Sequence, residues 1–306
     1  MSRRRRVQGR EIDGILLLDK PTGLSSNQAL QTVKRLYRAR KAGHTGSLDP
    51  LATGMLPICF GQATKISSFL LASDKRYRAV GRLGEATDTG DAEGEVIRRC
   101  AAADIDEFRL EKALARFRGE IEQTPPMYSA LKHNGERLYE IARRGESVER
   151  PARRVVIHAL TLKSFHDNHF ELDVHCSKGT YIRSLVEDIA KSLDSCAHVT
   201  ALRRTAVAPF EKDAAMATLE QLEATVEKGL EALDALLLPV DSGLAHWPET
   251  SVPQALADRL LRGQPVSLET PPVDGLVRVY APGRRFLGIG SATAGRLAPK
   301  RLFTRG

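Results

Sequence analysis

Two stretches of strict alternation constrain this 306-residue chain more than anything else in it. From Arg76 onward, Tyr77, Ala79, Gly81 and Leu83 fall on one face, and Arg76, Arg78, Val80 and Arg82 on the other. Far downstream Phe170, Leu172, Val174 and Cys176 repeat the pattern. A period of two marks half-buried strands, here with a basic outer face on the first. GILLLDKP (14–21) and MLPICF (55–60) are aliphatic runs instead and read as buried strands. Helical spacing separates the strands. Ser25 opens a capping box with Gln28, and Leu30, Val33, Leu36 and Tyr37 follow at helical intervals. Further helices are expected over 63–71, over 106–118, from Gly179 with Ile182, Leu185, Val186, Ile189 and Leu193 inward, and from Thr218 to about Leu238. The βαβ rhythm of a doubly wound sheet is missing, so the fold class is α+β, a mixed β-sheet with flanking helices.

Composition places the charge. With 42% hydrophobic and 27% charged residues and no apolar run of bilayer length, the chain is expected to be soluble and cytoplasmic. Its net charge of +8 favours a polyanionic partner. Residues 132–154 hold seven Lys/Arg against four Glu, and residues 274–306 seven against one acid. Residues 211–250 hold nine acids and two lysines. Residues 1–10, with Arg3 to Arg6, read as a basic arm, and residues 11–250 as the main domain. A proline-broken, basic stretch at about 124–154 reads as an insertion that leaves the core. From 251 to 306, short apolar runs broken by Gly and Pro read as a small β-domain. Cys59, Cys100, Cys176 and Cys196 form no C-x-x-C pair and are expected as reduced, mostly buried thiols.

Several patterns lead nowhere. Ser129 to Lys132 fits S-x-x-K without its companion elements, and Cys176 to Thr180 has the order of a P-loop wrong. TDTGDAEGE (87–95) lacks EF-hand spacing and reads as a hairpin turn. His166, His169 and His175 alternate along a solvated strand face and read as surface histidines. The loop AGHTGSLDPLATGML (42–56) is different, because it encloses one carboxylate, Asp49, among Gly43, His44, Thr45, Gly46, Ser47 and Gly54. Taken alone, an Asp-Pro pair is a turn in which Asp49 caps the segment after it. The surrounding donors equally suit an ionised acid.

GILLLDKPTGLSS, RKAGHTGSLDPLATGMLPICFG, DKRYRA and CSKGTYIRSLVEDI resemble, in order, the motifs of the TruB family of tRNA pseudouridine synthases. The resemblance runs from about Gly14 to about Val207 and implies a pseudouridine-synthase core with an inserted RNA-gripping thumb and a PUA-like C-terminal domain. It implies isomerisation of uridine 55 in the TΨC loop of tRNA, without a cofactor, a guide RNA or a protein partner, by a monomer. Asp49 matches the catalytic carboxylate, Arg183 the arginine paired with it, and Tyr77 the tyrosine against the target base. A paired guanidinium is expected to lower the aspartate pKa. His44, Tyr181, Leu202 and Lys20, with Pro21, match residues around the flipped base or its loop. Lys132, Arg143, Arg144, Arg153 and Arg154 become phosphate candidates in the thumb, and Arg284, Arg285, Lys300 and Arg301 in the last domain. A non-catalytic tRNA-binding or tRNA-folding protein on the same scaffold is the alternative reading.

Overall fold

A computed structural model describes residues 9–270 and 272–303, so the Arg3 to Arg6 arm lies outside the described residues. In chain order the elements are β1 (Gly14–Lys20), α1 (Ser26–Leu36), β2 (Ala42–His44), β3 (Thr53–Phe60), α2 (Ser67–Leu71), β4 (Lys75–Leu83), β5 (Glu85–Thr87) and β6 (Val96–Arg99). Then come α3 (Glu107–Leu114), β7 (Gly119–Gln123), β8 (Lys132–His133), β9 (Glu136–Arg137), α4 (Leu138–Arg143), β10 (Arg153–His166), β11 (His169–Cys176), α5 (Ile182–Lys191) and β12 (Ala197–Val207). The chain closes with α6 (Leu219–Val226), α7 (Leu230–Asp234), β13 (Glu249–Ser251), α8 (Gln254–Leu261), β14 (Val266–Ser267), β15 (Gly275–Ala281), β16 (Arg285–Thr293) and β17 (Arg296–Leu302).

Both alternating stretches become adjacent strands of one eight-stranded sheet, in the order β1-β3-β12-β4-β11-β10-β7 with β2 on β3. The sheet is mixed, since β12 runs parallel to β3 and antiparallel to β4. On β4 and β11 the apolar residues expected inward are indeed the buried ones, with Tyr77 half-buried among them. Helices α1, α3, α5 and α6 cover that face, where Val33, Leu110, Leu185 and Leu222 are fully buried. Fully burying a Leu or Val side chain contributes about 1.5–3 kcal/mol. On the far side of β1 and β3, Ile15, Met55 and Cys59 pack with Leu244 and with Ile289 of β16. The small C-terminal domain is a five-stranded sheet, β13-β15-β16-β17-β14, with its own core around Val277, Val279 and Leu297.

Four expectations need correction. The acidic segment is two helices, because Gly229 takes a φ of 105° between α6 and α7. Residues 61–65 form a 3-10 turn, leaving α2 only five residues. Arg10 is no part of a free arm, for its backbone bonds Arg38 at 2.7 Å and its side chain pairs with Asp234. The four thiols are not all reduced: Cys100 and Cys196 form a disulfide, while Cys59 and Cys176 are free and buried. Gly84 brings that pair together, as its backbone bonds Cys100 N–H at 2.9 Å and the Cys196 carbonyl at 2.8 Å.

The insertion leaves the sheet between neighbours. Gln123 at the end of β7 faces Arg153 at the start of β10, so residues 124–152 emerge from one point and return to it. They carry the β8–β9 ribbon and α4. Arg153 and Arg154 therefore belong to β10 and not to the excursion.

Candidate active site

The Asp49 loop joins β2 to β3 and is held from below by buried polar groups. Lys20 is fully buried, and its Nζ donates to the carbonyls of Pro21 (2.8 Å), Leu24 (2.6 Å) and Pro50 (3.3 Å). Ser26 Oγ donates to Leu48 O at 3.0 Å and accepts from Leu48 N at 2.7 Å. Arg204, 1% exposed, donates from Nε to Met55 O at 2.7 Å and from Nη2 to Gly46 O at 3.1 Å. It thereby ties the two stems of the loop. Gly54 has a φ of 97°, and a Cβ there would stand 2.3 Å from Arg204 O, which leaves glycine as the residue that lets β3 lie against β12.

Asp49 makes the turn with its main chain and leaves its carboxylate free to pair elsewhere. Its carbonyl accepts from Ala52 N at 3.1 Å, while Oδ2 lies 2.9 Å from Arg183 Nε. Arg183 is 4% exposed, the opposite of a surface helix arginine. Its Nη1 donates to Thr89 O at 2.6 Å and its Nη2 to Tyr128 O at 2.7 Å. Asp91, also buried, sits 3.7 Å from Nη1 and is fixed by Thr89 Oγ1 (2.7 Å) and Glu93 N (3.1 Å). One guanidinium thus joins the Asp49 loop, the β5–β6 turn and the insertion.

Electrostatics differ from the expectation in one respect. Arg183 and Lys20 both favour the Asp49 carboxylate, but burial, helped by Asp91, outweighs them and raises the Asp49 pKa above its ordinary value. Burial also raises Tyr77, whose phenol meets the Arg204 guanidinium and feels the charge of Asp49. His44 is pushed down by burial and by Arg204, and its Nδ1 is buried with no hydrogen-bond partner. A neutral imidazole is therefore favoured there. Lys20 falls to about 8, chiefly through burial, against the pull of Glu93 and Asp49.

The expected residues separate into two groups. Asp49, Arg183, Tyr77, Lys20, His44 and Tyr181 lie in one charge-coupled cluster, in which Asp49 feels Arg183 and Lys20, Tyr77 and Tyr181 feel Asp49, and His44 feels Arg204. Tyr181 precedes α5, with its backbone clasped by Gln123 at 2.7 and 3.0 Å. Leu202 on β12 faces Ala79 of β4, two residues along from the Tyr77–Arg204 pairing. The basic candidates lie elsewhere. Lys132 and Arg143 are exposed on the insertion, with Arg143 5.4 Å from the Tyr139 ring. Arg144 is already paired with Glu136 and Glu146, and Arg154 lies 3.3 Å from Glu120. In the C-terminal domain Arg284 is held by Glu249 at 3.0 Å, Arg301 donates to Lys65 O, and Lys300 is exposed.

Sequence reasoning passed over Asp91 and Arg204. A signal for Arg204 existed: in LRRTAV it shares the core-facing parity with Leu202 and Ala206, so a charge was aimed inward. Asp91 gave none, being one acid among several in a turn.

Comparison with known proteins shows the family. Residues 34–182 match the model of the TruB family pseudouridylate synthase N-terminal domain. Residues 183–245 match the tRNA pseudouridylate synthase B C-terminal domain, and 248–303 the pseudouridine synthase II TruB C-terminal domain. The tRNA pseudouridine synthase B of Nitrosococcus oceani is 52% identical over 303 residues, covering 99% of this chain and 98% of that protein. Its namesake in Sodalis glossinidius is 54% identical over 300 residues, with 96% of each covered. Among solved structures, a chain of a Cbf5–Nop10–Gar1 complex superposes with a TM-score of 0.75 at 23% identity, covering 98% of this chain and 86% of that one. At that identity the likeness speaks for the fold. With three consecutive family matches and full-length relatives above half identity, this chain belongs to the TruB family of pseudouridylate synthases.

Proposed function

We propose that the chain isomerises uridine 55 in the TΨC loop of tRNA to pseudouridine, with Asp49 as the catalytic carboxylate. The observation that carries the reading is the Asp49 carboxylate 2.9 Å from the buried Arg183, with Tyr77 close enough to feel its charge. The reaction breaks the N1–C1′ bond, turns the uracil and forms the C5–C1′ bond, while the proton on C5 is lost and N1 gains one. It changes no oxidation state. A carboxylate held by an arginine can act at C1′, and an adjacent phenol can stack on the base and serve the C5 proton. Reaching the target requires extruding the nucleotide from its stack. His44 at the end of β2 would take the vacated space, and the uracil would lie among Tyr77, Tyr181 and Leu202. Lys20 acts on the loop, since its donors are taken by three backbone carbonyls. Phosphates are assigned to the exposed cations of the insertion, Lys132 and Arg143 first, with the C-terminal domain reaching the acceptor side. The chain is proposed to work alone, as a cytoplasmic monomer without guide RNA.

Asp49→Asn is the direct test. It should bind unmodified tRNA and release no tritium from 5-tritiated uridine at position 55. Near-normal release would remove Asp49 from the chemistry, and tRNA refolding without release by the wild-type chain would favour the non-catalytic reading.

A further inference from the structure

β10 is irregular between Ile157, which faces Cys176, and Ala159, which faces His175. His158 is the extra residue, and such a bulge re-aims the side chain it carries. Its ring comes to lie 4.7 Å from that of His175, centroid to centroid. Asp74, in the turn before β4, places Oδ2 3.1 Å from His158 Nε2. One ligand atom from each of Asp74, His158 and His175 lies within 4.8 Å of the others.

We infer that Asp74, His158 and His175 form a binding site for a divalent transition-metal ion of the zinc type, separate from the Asp49–Arg183 pair. Two imidazoles and one carboxylate suit zinc and its neighbours, whereas magnesium and calcium prefer all-oxygen shells. Zinc holds such ligands at about 2.0–2.2 Å, so atoms sharing one ion sit within roughly 4 Å of each other. Closing the observed spacing takes a small rotation of side chains that are all at least partly exposed. Arg76 opposes a metal, and Glu211, exposed beside His175, offers a compensating carboxylate. His166 and His169 are not members, for they face each other at the far end of the β10–β11 hairpin. Along β4, Tyr77 shares a face with the buried Ala79 while Arg76 lies on the opposite one, and it is Arg76 that pairs with His175. The ion would therefore clasp β10, β11 and the entry to β4 from behind, away from the reacting groups.

The test is calorimetric titration of the full-length, tag-free chain with zinc near neutral pH. One equivalent should bind saturably, and His158→Ala and His175→Ala should each weaken it by about tenfold or more. Cobalt in place of zinc should give a nitrogen and oxygen ligand-field spectrum, without the thiolate band that Cys59 or Cys176 would produce. His158→Ala, at an exposed position, should keep full uridine isomerisation. Absence of saturable binding, unchanged affinity in both variants, or a thiolate band would overturn the assignment.

Discussion

Arg183 stands between two carboxylates, Asp49 at 2.9 Å and Asp91 at 3.7 Å, and the two acids oppose each other through it. Asp91 adds to the burial that raises the Asp49 pKa. If Asp49 acts as the anion, activity is lost as pH falls through a value above the ordinary 3.8 of a free carboxylate. Removing the second negative charge lowers the Asp49 pKa, so Asp91→Asn should move the acid limb of the kcat/KM profile to lower pH, whatever happens to the plateau. A limb that stays in place, or moves up, shows that Asp91 does not bear on that titration. Arg204 poses a different electrostatic problem. It has no ion pair among the described residues, and its guanidinium is met by the backbone carbonyls of Met55 and Gly46 and by the Tyr77 phenol. Strand parity in LRRTAV reveals that such a charge points inward, but which carbonyls receive it depends on β3 meeting β12, a contact absent from local sequence.

At the scale of elements, α1 shows how much a local signal can specify. Ser25 Oγ accepts from Gln28 N at 3.2 Å, and Gln28 Oε1 accepts from Ser25 N at 2.9 Å, as the four-residue pattern implies. Ser25→Ala should cost about 1 kcal/mol in urea unfolding, with an unchanged m-value. The cost has a functional side, because Ser26, the next residue, holds both backbone groups of Leu48 beside Asp49. Helix α5 was equally legible, since Ile182, Leu185, Val186 and Ile189 repeat with the helical period and all are buried. Arg183 was assigned by motif alone, for periodicity cannot tell a buried arginine from an exposed one. The segment from Thr218 misled for the reverse reason: its apolar spacing continues past Gly229, whereas α6 stops at Val226 and α7 starts anew after Gly229. The Cys100–Cys196 link was invisible, as the two are 96 residues apart and meet only when β6 and β12 flank Gly84.

Over the whole molecule, charge is distributed by what already neutralises it. Arg144 is engaged by two glutamates, whereas Arg143 forms no ion pair among the described residues. Under the proposed function, Arg143→Ala should reduce the slope of log affinity for tRNA against log salt by about 1. Arg144→Ala should change it less, and a filter-binding salt series that ranked them the other way would displace the insertion residues from that role.

The separation of Asp49 from its buried partners along the chain also sets when the site can exist. Asp49 is made early, yet its partner Arg183 and the loop's fastener Arg204 come more than a hundred residues later. At synthesis rates of roughly 5–20 residues per second, about 7 to 30 seconds pass before the arginines are made. A truncated or still-growing chain ending before β12 therefore holds an unsupported loop, and under the proposed function the chemistry is withheld from every nascent copy until the domain is nearly complete.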